Sequence, residues 1–195
     1  MNEQRAIELC IKHRDPIGFE FLVRKYRREA HFHAYALLRN REDAAEACQE
    51  SFASAFASLP LLTELTAFYP WFYRVLRNRC LNVLERRRNA VAYTAAETAR
   101  AAEAPELEAG PDAELDRKEQ AARVLAVLET LSLEFREILA LKYLRDYDYA
   151  TLAQLLGIPR GTVMSRLYHA RKAFQRAWAD SAEPAAPQTG EHRYG

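Results

Sequence analysis

From Val91 to about Glu119 the chain reads VAYTAAETARAAEAPELEAGPDAELDRKE, a stretch of Ala, Glu, Pro and Gly with almost no large apolar side chain. Such a segment cannot bury enough surface to offset its conformational entropy, so it takes no part in a core. It divides the 195 residues into two halves, each of which must find apolar contacts of its own. The predicted organisation is a compact unit over 1–90, a flexible acidic linker over 91–120 and a second compact unit over 121–180. A disordered tail follows over 181–195, where apolar groups run out again.

Within both halves apolar residues recur at steps of three and four. Phe19, Leu22, Val23, Tyr26, Ala30 and Phe32 to Leu38 form one stripe, and Ala44, Ala47, Cys48, Phe52, Ala55, Phe56 and Leu59 form the next. Asn40, three residues before Asp43, suits a helix start, because its short side chain accepts from free backbone N–H groups. Pro60 ends that helix, and a third runs from about Phe68 or Pro70 to Arg88 with Trp71, Phe72, Val75, Leu76, Cys80, Leu81 and Leu84 inward. No run alternates apolar and polar residues at period two. The expected fold is all-α, two small helical domains joined by the linker.

The second half carries the most informative segment, YDYATLAQLLGIPRGTVMSRLYHARKAF. Asp148 suits the cap of a short helix, Gly157 permits the left-handed residue that stops it, and Pro159 suits the first turn of another. Small Ala153 allows close helix crossing, and Val163, Leu167, Ala170 and Phe174 face inward. This is a helix-turn-helix pattern. Its second helix turns outward Arg160, Thr162, Met164, Ser165, Arg166, Tyr168, His169, Arg171 and Lys172: cations for phosphates and guanine edges, hydroxyls and one aromatic, with no acid among them. That is the chemistry of a major-groove reader.

The net charge of +1 conceals segregation. Residues 1–90 hold 15 basic and 11 acidic groups, 91–120 hold 3 and 8, and 121–195 hold 10 and 8. Arg74 to Arg88 contains six arginines, and on that helix rings and cations interleave. Bases stack on aromatic faces only after leaving their neighbours, so the pattern suits melted or single-stranded DNA. Trp71 and Phe72 are assigned to the core, and the DNA role falls to Tyr73, Arg74, Arg77 and Asn78. That reading requires these four not to be sealed together in the interior.

Asp43, Glu46 and Glu50 share one helix face with Gln49 beside them. Catalysis or metal binding there would need partners such as a Glu-x-x-His helix, which the sequence lacks, and His31 and His33, two apart, point to different sides. A protein-docking face remains. No phosphate-binding loop or nucleophile elbow is present, so no enzyme, cofactor or metal site is expected. Cys10, Cys48 and Cys80 lie tens of residues apart within apolar stripes and read as inert buried thiols. No segment is apolar enough to span a bilayer and the N-terminus is charged throughout, so the chain is expected in the cytoplasm.

REDAAEACQESFASAF, WFYRVLRNRCLNVLERRR and the stretch from LETLSLEFREIL to RKAF together resemble the extracytoplasmic-function sigma factors of bacterial RNA polymerase, in the expected order and over about 160 residues. The resemblance implies a region 2 bundle in the first half and a region 4 helix-turn-helix in the second. It implies that Asp43, Glu46, Gln49 and Glu50 dock on core polymerase, and that the Leu61–Phe68 loop with Tyr73, Arg74, Arg77 and Asn78 opens and reads the −10 element. Arg160 to Lys172 would read the −35 element. It also implies an anti-sigma partner. Met164 and His169 stand where the family commonly has basic residues, so the −35 preference does not transfer. The alternative reading is a duplex-operator regulator whose N-terminal half dimerises or senses.

Overall fold

Asn2 accepts a hydrogen bond from the Arg5 amide at 2.9 Å and so opens α1, Glu3–His13. The computed structural model describes residues 1–62, 65–93 and 115–181, and those residues form eight α-helices and no strand. Arg14 stops α1 in the left-handed conformation, φ 51°, and Asp15 caps α2, Pro16–Leu38, with Pro16 in the first turn. At Gly18 a Cβ would lie 2.8 Å from the Ala6 carbonyl oxygen, so the close crossing of α1 and α2 requires glycine. The sequence reading missed α1. Its signals were the caps, Asn2 and Asp15–Pro16, rather than its short apolar stripe.

Arg39 repeats the left-handed stop at φ 54°, and Asn40 starts α3, Arg41–Ser58, by accepting from the Asp43 amide at 2.9 Å, as its position predicts. Pro60 closes this helix through a 3-10 turn, Leu59–Leu61. α4, Phe68–Tyr93, draws an N-terminal acceptor from a remote residue: Glu3 takes the Phe68 amide at 3.0 Å together with Lys25 and the Tyr26 hydroxyl. Burial alone would raise the Glu3 carboxyl, but these donors outweigh it and hold its pKa below the usual value. Phe52, Phe68 and Phe72 stack through the bundle, with centroids 4.3 Å apart for Phe52 and Phe72 and 5.3 Å apart for Phe68 and Phe72. Trp71, expected in the core beside Phe72, is only half-buried.

The second half comprises α5 Leu115–Thr130, α6 Leu133–Arg145, α7 Tyr149–Leu156 and α8 Arg160–Asp180. Asp148 caps α7 through the Thr151 amide at 2.7 Å. Gly157 takes φ 67°, and the amides of Gly157 and Ile158 both return to the Ala153 carbonyl. This pair of bonds makes the sharp turn. Pro159 sits one residue earlier than expected, at the N-cap of α8, where its extended ψ of 147° aims the chain into the helix and its carbonyl accepts from Val163. α4 and α5 reach into the expected linker from both sides, in keeping with the helix-forming Ala, Glu, Lys and Arg there. The remaining linker, 94–114, and the tail from 182 lie outside the described residues.

The two halves do not stand apart. Their buried side chains form one continuous cluster, and α2 packs against α6 as well as α1, α3 and α4. Buried Arg136 in α6 reaches the end of α2, where its guanidinium donates to the carbonyls of Ala36 at 2.7 Å and Leu37 at 3.5 Å, and to Leu131 at 2.6 Å. Two of these carbonyls belong to the last turn of α2, which has no intrahelical donors for them. Tyr35 donates to Glu129, and Arg145 pairs with Glu29 while lying over the rings of Tyr26 and Tyr69 at 4.8 and 4.7 Å.

Candidate nucleic-acid interface

α8 follows the turn at Gly157 with its apolar face, Val163, Leu167 and Ala170, fully buried against α5, α6 and α7. That geometry forces the intervening residues outward. Met164 is 54% and Tyr168 53% exposed, and Arg160, Ser165, His169, Arg171 and Lys172 are exposed as well, with Thr162 half-buried. No acid stands on α8 before Asp180. Some of the cations are already oriented. Arg166 pairs with Glu134 of α6 at 3.3 Å, Arg171 donates to the Tyr143 hydroxyl at 2.9 Å, and the Lys172 ammonium sits 4.8 Å over the Tyr168 ring. A convex cationic helix of this form fits a major groove.

The residues expected on α4 divide. Arg74 and Asn78 are exposed, Arg74 reaching the Gln154 carbonyl at 3.5 Å. Tyr73 is 1% exposed and donates to the Glu137 carboxylate at 2.8 Å. Arg77 is partly covered and grips the same carboxylate with both arms of its fork, at 2.5 and 3.3 Å. Burial lowers the Arg77 pKa, but the bond and charge of Glu137 overcome it and raise the value overall. Burial and Glu137 together push the Tyr73 phenol well above its usual value, so it stays a donor. Arg74 and Asn78 thus face solvent while Tyr73 and Arg77 face the other half of the chain. The sequence reading missed Glu137, whose role arises only when the halves meet.

On α3, Glu46, Gln49 and Glu50 are exposed and Asp43 is half-buried. Glu50 pairs with Arg79 at 3.2 Å and Asp43 with Arg87, so arginines of α4 partly neutralise the acidic face. A groove of about 250 Å³ runs between these helices. Among the described residues no group of three potential metal ligands forms, and no helix is long and apolar enough to cross a membrane. Cys10, Cys48 and Cys80 are buried and unpaired with one another, their thiols pushed up by burial to about 11, 12 and 12.

Comparison with known proteins places these elements. The Sigma-70 region 2 family matches residues 22–90 and the Sigma-70, region 4 family matches residues 121–174. The RNA polymerase sigma-H factor of Pseudomonas aeruginosa is 28% identical over 181 residues, covering 90% of this chain and 93% of that protein. The ECF RNA polymerase sigma factor SigM of Mycobacterium tuberculosis is 31% identical over 180 residues, covering 90% and 85%. The solved structure of the sigma factor RpoE in complex with the anti-sigma factor NepR from Bartonella quintana superposes with a TM-score of 0.69 at 20% identity, over 83% of this chain and 96% of that one. The match over residues 22–90 sets aside a dimerisation or sensor role for the first half.

Proposed function

Because the chain belongs to the extracytoplasmic-function sigma factors of the sigma-70 family, we infer that it directs promoter-specific transcription initiation by binding core RNA polymerase and the −10 and −35 elements of promoter DNA. It acts in the cytoplasm, where polymerase works, and lends promoter choice to that enzyme without catalysing a reaction itself. The observation that carries the reading is the acid-free, outward face of α8 in combination with the exposed Arg74 and Asn78 of α4. On α8, Arg160, Thr162, Ser165, Arg166, Tyr168, Arg171 and Lys172 contact the −35 element, and Met164 meets a thymine methyl rather than a phosphate. On α4, Arg74, Arg77 and Asn78 follow the opened −10 strand, and Tyr73 stacks on a base once the halves separate. Asp43, Glu46, Gln49 and Glu50 dock on the polymerase. An anti-sigma factor is the further partner, and the apolar groove of about 510 Å³ bordered by Phe32, Leu128, Leu139 and Phe174 supports one.

Run-off transcription tests the −10 assignment. With core polymerase, Arg74→Ala together with Asn78→Ala is expected to lose most transcription from closed duplex templates and to recover it on a template with a pre-melted bubble. Equal transcription from both templates by wild type and variant would remove α4 from promoter opening.

A further inference from the structure

We infer that the −35 element of this chain is selected through thymine methyl groups, by a ridge of Met164 and Tyr168, rather than through guanine edges. The methyl reading rests on the assignment of α8 to the −35 element and names the bases that α8 prefers. Val163, Leu167 and Ala170 define the buried stripe of α8, and at about 3.6 residues per turn Arg166 and Arg171 fall on its two borders. Both arginines are held there by α6. Arg166 turns to Glu134, which leaves its side chain 17% exposed, and Arg171 donates to the Tyr143 hydroxyl. Cations at the borders of a helix seated in a groove stand against the phosphate walls, and the bases meet what lies between.

What lies between is apolar at its centre. Ser165 donates its hydroxyl to the Thr162 carbonyl at 3.1 Å. The Lys172 ammonium is drawn to 4.8 Å over the Tyr168 ring, and the His169 ring meets that ring in a T at 5.3 Å, so Tyr168 is steadied by two neighbours. Met164 lies one turn before it, and both side chains are more than half exposed. Residues four apart are neighbours on a helix surface, so the two make an apolar ridge about 6 Å long. Base pairs follow one another at about 3.4 Å, and the ridge therefore covers about two steps. The apolar group that a base presents in the major groove is the thymine C5-methyl, and covering it removes apolar surface from water on both sides.

The test uses holoenzyme assembled from the full chain and core polymerase. Promoters are selected from genomic fragments, and the upstream element they share is resynthesised with deoxyuridine in place of thymidine, which removes the methyl and keeps every hydrogen-bonding group of the base. Wild type is expected to lose about fourfold in affinity for each methyl removed beneath the ridge, the worth of one buried methylene. Met164→Ala is expected to bind thymine and uracil alike at one position, and Tyr168→Ala at another about two pairs away. Tyr168→Phe keeps the ring and is expected to discriminate as wild type does. An element without thymine overturns the methyl reading, as does equal affinity of wild type for the two duplexes. Discrimination that persists in both alanine variants assigns the effect to DNA shape and overturns the ridge. Should Tyr168→Ala lose helicity by circular dichroism, Met164→Ala decides alone. Promoter selection without a methyl effect refutes the ridge and leaves the sigma-factor reading standing, whereas failure to select any promoter refutes that reading and the ridge with it.

Discussion

His33 illustrates how much one buried side chain can report. It is 2% exposed at the centre of the molecule, bonded through Nδ1 to the Tyr69 hydroxyl at 2.6 Å, with the Tyr73 ring edge-on at 5.3 Å. Burial pulls its pKa down to about 4, and the positive charge of Arg145 acts in the same sense. Because the unfolded chain takes up a proton near pH 6.5 that the folded chain refuses, stability present above that pH drains away as the pH falls to about 4. The loss from this group is on the order of 3 kcal/mol. Urea titrations across that range are expected to show a flatter pH dependence in His33→Gln than in wild type, and identical slopes would remove His33 from the balance. By NMR the imidazole is expected to titrate near 4 in the wild type and closer to 6.5 wherever α6 has moved away. None of this was legible in the sequence, where His33 is simply one of two histidines too close together to share a metal.

The helices show the opposite case, because their boundaries are written in local chemistry. Asn40, Asp148 and Gly157 take the capping and turning roles their chemistry allows, since Asn40 and Asp148 each accept from an amide three residues on and Gly157 adopts the left-handed backbone whose amide returns to Ala153 four residues back. Asn40→Ala is expected to cost about 1 kcal/mol in chemical denaturation, while Asn40→Asp stays near neutral; equal losses would mean that the cap is not what the Asn provides. The face of α8 was legible for the same reason, a helical period reporting directly which residues turn outward. α4 was legible only in part. Interleaved rings and arginines identify the helix, but which of them solvent reaches depends on the helix that lies across it. Trp71 therefore came out half-buried and Tyr73 sealed, an order that periodicity on α4 alone cannot supply.

At the scale of the whole molecule, a net charge of +1 suggests indifference to DNA, yet α4 and α8 together carry eleven of the 28 basic residues against only two acids, Glu85 and Asp180. Binding to promoter DNA follows the local charge rather than the total, because only cations close to phosphates release counterions. For the polymerase complex, Arg171→Ala with Lys172→Ala is expected to lower the log–log salt slope of promoter binding by about two without altering sequence preference; an unchanged slope would place both residues off the backbone. The two matched family regions, 22–90 and 121–174, lie on either side of the Ala- and Glu-rich stretch, but composition is silent on docking, which depends on Arg136, Glu137 and Arg145 finding partners in the other half. Arg136 has one more consequence. It lies 100 residues beyond Ala36, whose carbonyl it holds. At about 5–20 residues per second, a translating ribosome needs about 5–20 s to travel from one to the other. For that interval the nascent first half emerges with the end of α2 unclasped and α4 uncovered, and it first meets the cell in its unguarded form.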